Sequence, residues 1–205
     1  MVAIITGDVV RSRALTTEKW LNHLKKGLEL FGNTPKDWEI YRGDSFQIKT
    51  TPEQALLQAI VLKAWMKHFK EIDVRLGIGI GAMEYESNRI TEGNGLAFEL
   101  SGESFDQLGK RNLGIKTPNA FWNDTLSLMC DLALLIMDKW TEKTAEVIYL
   151  KLRFPELNQA EIAEKLDKKG QGNISVALKR GGFDEIHQFI QYYQKNIKAY
   201  VHSSV

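Results

Sequence analysis

The sequence predicts an α+β fold followed by an all-helical segment. Between residues 2 and 81, strand-like and helix-like patterns alternate in the order strand, helix, hairpin, helix, strand. Beyond residue 141, apolar residues recur only at helical spacing. The chain of 205 residues is 43% hydrophobic and 26% charged, which is ordinary for globular proteins and argues against disorder. Its length suffices for one large or two small domains.

The first elements follow from β-branched runs and capping signals. Residues Val2–Val10 are apolar and β-branched up to Gly7 and Asp8, so they predict a buried strand. Thr16 or Thr17 can cap a helix that ends near Phe31. Two alternating runs, 38–42 and 45–50, flank Gly43-Asp44, which predicts a tight hairpin.

The next elements complete a βαββαβ order. Thr51-Pro52-Glu53 opens a helix that reaches about Lys70, and Val74–Gly81 predicts a fourth strand. One face of that strand carries only Gly77, Gly79 and Gly81, so a helix or a ligand is expected close to the backbone there. The order βαββαβ is that of ferredoxin-like sheets. Further helices are predicted over 95–108 and 119–139, and they divide the chain into a domain 1–118, a connecting helix 119–140 and a domain 141–205.

Charge and cysteine content restrict the function classes. The net charge is +1; residues 141–205 carry ten Lys/Arg against eight Asp/Glu, a weak asymmetry that permits DNA binding without requiring it. The single cysteine, Cys130, excludes an intramolecular disulfide and is expected to be a buried small hydrophobe. We expect no membrane span and no signal peptide, because no uninterrupted apolar stretch reaches about 20 residues and no basic segment precedes the first strand. A cytoplasmic location is therefore expected.

Two aspartates are the best candidates for metal chemistry. Asp8 ends the first strand and Asp44 lies in the hairpin turn, and the neighbouring strands of a ferredoxin-like sheet bring both to one edge. With the backbone carbonyl of Val9 they offer oxygen ligands that suit Mg²⁺ or Mn²⁺. The alternative is that both carboxylates only accept hydrogen bonds from nearby turn amides.

The segment after the first strand is a candidate phosphate-binding loop. Arg11, Ser12 and Arg13 follow Asp8 closely, and Gly43 lies in the neighbouring hairpin turn. Cationic side chains beside a helix N-terminus can receive the phosphate oxygens of a nucleotide. The alternative is that these arginines are solvated loop residues.

The motifs together resemble a known group of proteins. Asp8-Val9-Val10, Gly43-Asp44-Ser45-Phe46 and the run 74–81 look like the catalytic core of class III nucleotide cyclases. The whole chain resembles the bacterial SatD family, which couples such a core to a C-terminal helix-turn-helix. The resemblance implies that Asp8, Asp44 and the carbonyl of Val9 hold the metal ion.

The resemblance also shows departures from the cyclase pattern. The helix after the last core strand of a cyclase carries an Asn and, four residues later, an Arg; here Glu99 and Glu103 stand in their places. A carboxylate repels the charge that develops on a transferring phosphate, whereas an arginine stabilises it. The base-reading lysine before the Gly-Asp turn is also missing. The resemblance therefore implies a degenerate cyclase-like domain that senses a nucleotide.

The C-terminal segment has the pattern of a helix-turn-helix. A helix over 142–153 is followed by a second that Asn158 caps, over 159–166, a turn with two glycines over 167–172, and a third over 173–180. The N-terminal residues of a recognition helix contact base edges, and neighbouring cations neutralise phosphates. The candidates are Gln171, Asn173 and Ser175 for bases, and Lys168, Lys169, Lys179 and Arg180 for phosphates. The alternative is a helical bundle used for dimerisation.

Three hypotheses for function follow. The first is a homodimeric transcriptional regulator that binds DNA and senses a nucleotide with Mg²⁺. The second is a metal-dependent enzyme for nucleotidyl transfer or nucleotide hydrolysis through Asp8 and Asp44. The third is a partner-binding protein with neither activity.

Overall fold

A computed structural model of the chain describes residues 1–12, 16–69, 72–166 and 171–203. Within these ranges the protein is an α+β structure, as the sequence predicts, and its strands form one five-stranded sheet. The strands are β1 (Val2–Val10), β2 (Trp38–Tyr41), β3 (Ser45–Thr50), β4 (Asp73–Gly81) and β5 (Leu113–Lys116). The helices are α1 (Thr17–Leu28), α2 (Pro52–Lys67), α3 (Leu96–Asp106), α4 (Ala120–Met137), α5 (Glu142–Arg153), α6 (Gln159–Lys165), α7 (Gln171–Arg180) and α8 (Phe183–Ser203).

The sheet has the strand order β2-β3-β1-β4-β5. The first three contacts are antiparallel, and the register places Asp8 opposite Ser45 of β3 on one side and Arg75 of β4 on the other. Strand β5 pairs with β4 in parallel and was not predicted, because Leu113–Lys116 is short and contains a glycine. The predicted βαββαβ elements are otherwise present in the expected order.

The glycines of β4 let helix α3 lie directly on the sheet. A Cβ on Gly79 would lie 2.1 Å from the backbone nitrogen of Ser101, and a Cβ on Gly77 would lie 2.4 Å from that of Phe105. The close neighbour that the glycine run predicts is therefore a helix. Buried hydroxyls fix the contact further, since the Thr6 and Ser101 oxygens are 2.9 Å apart.

Helix α2 lies in the interior and contacts both the sheet and the C-terminal helices. It packs against β1 and β4 on one side and against α5 and α8 on the other. Its Trp65 stacks on His23 of α1 at 4.5 Å and lies 5.0 Å from the ring of Tyr149 in α5. Burial lowers the pKa of His23 to about 4, so its ring is uncharged at neutral pH. One hydrophobic core therefore extends from β1 to α8.

The helical ends confirm several sequence signals. Asn158 caps α6 by accepting hydrogen bonds from Ala160 and Glu161, and the Glu161 carboxylate accepts one from the Asn158 amide, which completes a capping box. Asn119 caps α4. Helix α7 begins at Gln171, so Gln171 and Gly172 are helical although the sequence pattern predicts them in the turn.

Helix α4 is more exposed than its composition suggests. It is the single helix of the described part of the chain with the length and mean hydropathy, 1.3, to cross a membrane, and 28% of it is buried. Its inner face, which includes Leu126, Cys130 and Met137, is fully buried. Burial raises the pKa of the Cys130 thiol to about 12, as expected for a structural cysteine.

The α3–β4 contact predicts opposite effects for two glycine substitutions. Gly79→Ala should lower the free energy of unfolding by about 3 kcal/mol, because the new methyl group would overlap the α3 backbone. Gly102→Ala, in the same helix but with open space around its Cα, should raise it by about 0.5–1 kcal/mol through helix propensity. Urea unfolding of both variants measures the difference; equal stability of the two variants would contradict the packing described here.

Candidate functional site

Asp8 forms an ion pair with an arginine from the neighbouring strand. The guanidinium of Arg75 donates from Nε to Asp8 Oδ1 at 2.9 Å and from Nη2 to Asp8 Oδ2. The Asp8 side chain is 17% exposed, and Arg75 also lies over the ring of Phe105 in α3 at 5.1 Å. The hydrogen bonds to the Asp8 carboxylate raise the pKa of Arg75 further above its usual range.

Asp44 lies in the hairpin turn beside the same sheet edge. Its Oδ2 accepts a hydrogen bond from the Ser12 hydroxyl at 3.1 Å, so the loop after β1 is linked to the hairpin. The turn requires left-handed backbone at Arg42, with φ 48°, and at Gly43, with φ 80°. The structure therefore brings Ser12, Gly43 and Asp44 together, and Asp44 is near enough to contribute to the raised pKa of Arg75.

These residues do not form a ready site for Mg²⁺ or Mn²⁺ as they lie. Both Asp8 oxygens already bind Arg75, and Val9 is a buried strand residue opposite Val74. Magnesium requires oxygen ligands at about 2.0–2.1 Å, so the positive guanidinium bound to Asp8 competes with a cation for that carboxylate. Among the described residues no group of three or more His, Cys, Asp and Glu side chains is placed to hold a metal ion.

Arg11 does not join Ser12 at the Asp44 turn but lines a separate cavity. It adopts left-handed backbone, with φ 62°, where the chain leaves β1, and strain of this kind in a residue other than glycine often marks functional sites. Arg11 lines a cavity of about 790 Å³ between the sheet and the beginning of α5, together with Lys67, Asn112 and Lys143. This volume is within the range of small-molecule sites. Arg13 lies outside the described residues.

The two glutamates at the cyclase positions are exposed on α3. Glu103 binds Lys116 of β5 at 2.9 Å, so it is directed away from Asp8, which lies on the other side of β4. The α3 side chain that contacts the Asp8–Arg75 pair is Phe105. Arg75, rather than a residue of α3, is the cation that binds Asp8.

The second candidate site is the exposed face of α7. Helix α7 packs against α5 and α6 through its buried residues Ile174 and Leu178. The candidate residues Asn173, Ser175, Lys179 and Arg180 are exposed. The side chain of Gln171 and the whole of Lys168 and Lys169 lie outside the described residues.

Two further residues belong to the α7 surface. Val176 is 48% exposed and lies among the exposed candidates of α7. Lys143 of α5 lines a groove that also contains Asn173, Val176 and Arg180. The sequence indicates that Val176 is exposed, because it is two residues from both Ile174 and Leu178 and so lies on the opposite face of the helix.

The ion pair between Asp8 and Arg75 is the feature of the candidate site that the sequence pattern did not predict. Arg75 is a weak phosphate-binding candidate when only its position in the chain is considered. Once β1 and β4 are known to be antiparallel, the register places the two opposite charges directly across from each other.

Comparison of the chain with protein-family models and with curated proteins finds no match. The resemblance to the SatD family therefore remains a prediction from the motifs.

Removal of Arg75 should create the cation site that the pair prevents. In Arg75→Met the Asp8 carboxylate is free beside Asp44, so Mn²⁺ should bind at least tenfold more tightly than to the wild type. Electron paramagnetic resonance of free Mn²⁺ measures the binding. Addition of Asp44→Asn to the Arg75→Met variant should abolish this gain in Mn²⁺ affinity.

Arg89→Met is the matched control, because Arg89 also donates to a carboxylate, that of Glu39, at a separate place in the structure. It should leave Mn²⁺ affinity unchanged. Wild-type affinity equal to that of Arg75→Met would show that the ion pair does not restrict metal binding.

Proposed function

We propose that the protein is a DNA-binding transcriptional regulator whose cyclase-like domain senses a nucleotide in the cytoplasm. The observation that carries the proposal is the α6–α7 pair, in which a capped helix is followed by one with an exposed polar and cationic face. In this proposal α6 and α7 form a helix-turn-helix, and α7 is the recognition helix.

The chemistry of α7 suits double-stranded DNA. Asn173 and Ser175 can donate to and accept from base edges, and exposed Val176 can contact a thymine methyl group. Lys179 and Arg180 at the end of the helix, with Lys168 and Lys169 before it, provide phosphate contacts. Lys143 adds a further cation beside the same groove.

The sheet supports the second half of the proposal. The antiparallel order β2-β3-β1-β4 agrees with a ferredoxin-like core, to which β5 is added. Arg11 and Lys143 offer cations to phosphate oxygens in the cavity between the core and α5. A nucleotide bound there would touch both the sheet and the first helix of the C-terminal module.

The metal part of the hypothesis has less support than the nucleotide part. The Asp8–Arg75 pair occupies the carboxylate that Mg²⁺ requires, so nucleotide sensing is proposed here through side-chain cations. The same pair disfavours the alternative of a metal-dependent enzyme.

DNA binding should depend on the cations of α7. Fluorescence anisotropy with a pool of random double-stranded DNA should show affinity that falls with NaCl concentration. Lys179→Ala/Arg180→Ala should reduce the slope of log K against log [salt] by about 2, because each lost phosphate contact contributes roughly 0.9.

The matched control is Lys195→Ala/Lys198→Ala, which removes two exposed cations of α8. It should bind DNA like the wild type. Absence of salt-dependent binding, or equal loss in both double variants, would disprove the assignment of α7 as the DNA-binding helix.

Nucleotide binding should depend on Arg11. Calorimetry of the full chain with ATP and with GTP should detect one of them, and Arg11→Ala should weaken its binding by about tenfold through loss of a charge-assisted hydrogen bond. Lys25→Ala, which removes an exposed cation of α1, is the control. The bound nucleotide should also change DNA affinity, since coupling between two sites is reciprocal; no heat with either nucleotide would remove this half of the proposal.

A further inference from the structure

Helix α4 exposes a row of large apolar side chains to solvent. Phe121, Leu128, Leu132 and Leu135 are between 56% and 82% exposed. They account for half of the eight large hydrophobic residues that are exposed in the described part of the chain. Isolated exposed apolar residues are ordinary, but a contiguous row of them marks an interaction surface.

The spacing of this row is that of a helix–helix seam. Phe121, Leu128 and Leu135 are seven residues apart, and Thr125, Leu132 and Lys139 form a second series, each member four residues after one of the first. Alternating steps of four and three are the a and d positions of a heptad, which pack against another helix. Five of the six residues lie in α4, and Lys139 lies in the turn just after the helix ends at Met137. We call the six residues of these two series the α4 seam.

We propose that the α4 seam is the interface with a second copy of this chain, in which the two α4 helices pair antiparallel about a twofold axis. An axis at the level of residue 130 places Leu128 opposite the partner's Leu132 and Thr125 opposite the partner's Leu135. The same patch then faces itself, as a twofold interface requires. This inference is independent of DNA binding and of nucleotide sensing.

The charges at the two ends of the seam determine the antiparallel direction. Asp124 is exposed at one end and Lys139 at the other, and neither has an ion-pair partner among the described residues. When the helical rise of 1.5 Å per residue is continued from Met137 to Lys139, Asp124 and the partner's Lys139 differ by about 4.5 Å along the axis, which a lysine side chain can span. Lys139 also reaches the level of the partner's Phe121, where its ammonium can lie over the ring. In a parallel pair each of these charges would meet its own copy.

The flank of the seam favours a protein partner over a lipid surface. Asp124 and Asp131 lie on one side of α4 at heptad spacing, and Asp138, which binds the buried Lys63, follows seven residues later at the end of the helix. Helices that lie on membranes carry Lys and Arg on their flanks, whereas these carboxylates are repelled by anionic headgroups. Asp131 approaches its own copy near the axis, and Arg111, whose Nη1 lies 3.5 Å from Asp131, offsets that repulsion.

The proposal is tested by the mass of the full chain in solution. Sedimentation equilibrium between 0.1 and 100 μM should give twice the chain mass of 23.4 kDa at the upper concentrations. Leu132→Glu should weaken dimerisation by at least 100-fold, because it places two charges at the centre of the seam. Its circular dichroism and thermal unfolding should match the wild type, since Leu132 is exposed in the single chain. Tyr85→Glu, at an equally exposed residue outside α4, should remain dimeric.

A charge exchange tests the direction of pairing. Asp124→Lys and Lys139→Glu should each weaken the dimer, and the double variant should restore it to within threefold of the wild type. A wild-type monomer at 100 μM, or dimerisation unchanged in Leu132→Glu, would overturn the proposal. Binding of wild type, but not Leu132→Glu, to phosphatidylcholine–phosphatidylserine vesicles without dimerisation would assign the seam to lipid and overturn it as well. Failure to restore pairing in the double variant would overturn the antiparallel arrangement.

Discussion

The burial of Lys63 in helix α2 is the interaction that joins the two halves of the molecule. Its Nζ lies 3.0 Å from carboxylate oxygens of both Asp73, at the beginning of β4, and Asp138, after α4. A buried ammonium without carboxylate partners is costly, and loss of one partner from such a pair destabilises by about 3–5 kcal/mol. The Lys63 ammonium therefore holds both the beginning of β4 and the turn between α4 and α5 against helix α2. At the other end of α2, the buried hydroxyl of Tyr193 donates a hydrogen bond of 2.6 Å to the carbonyl of Pro52. This bond holds α8 against the beginning of α2.

The same ion network borders the cavity that Arg11 lines. Lys67 and Asp73, two members of the buried ion network, line that cavity, and so do Asp138 and Lys143 at the start of the C-terminal module. An anion that binds Arg11 and Lys143 would change the electrostatic balance around Asp73 and Asp138. Asp138 lies four residues before α5, and α5 packs against α7, so the cavity is bordered by the helix on which α7 rests.

The sequence patterns predict the fold well where local chemistry decides it. The hairpin around Gly43-Asp44, the Asn158 cap and the glycine face of β4 are each determined by a few adjacent residues, and all three are present. Strand β5 depends on pairing with β4, which a four-residue segment does not reveal. The candidate site was predicted less completely for the same reason. Asp8 and Arg75 are 67 residues apart, and only the register of two strands shows that they bind each other.

The Asp8–Arg75 pair follows from the way α3 covers β4. Gly77, Gly79 and Gly81 lie under the helix, where no side chain fits. Arg75 is two residues before Gly77 on the same strand. Helix α3 ends near this point, so there is room for a long side chain. The register places that side chain opposite Asp8, so the carboxylate that the cyclase resemblance assigns to a metal ion is neutralised by the chain itself. A guanidinium supplies one positive charge in a fixed planar geometry, whereas a divalent ion supplies two and leaves open positions for phosphate oxygens. The guanidinium therefore supplies less positive charge than a divalent ion and no open coordination positions, and this is the physical reason for which we propose ligand binding and DNA binding through α7 rather than phosphoryl transfer at Asp8.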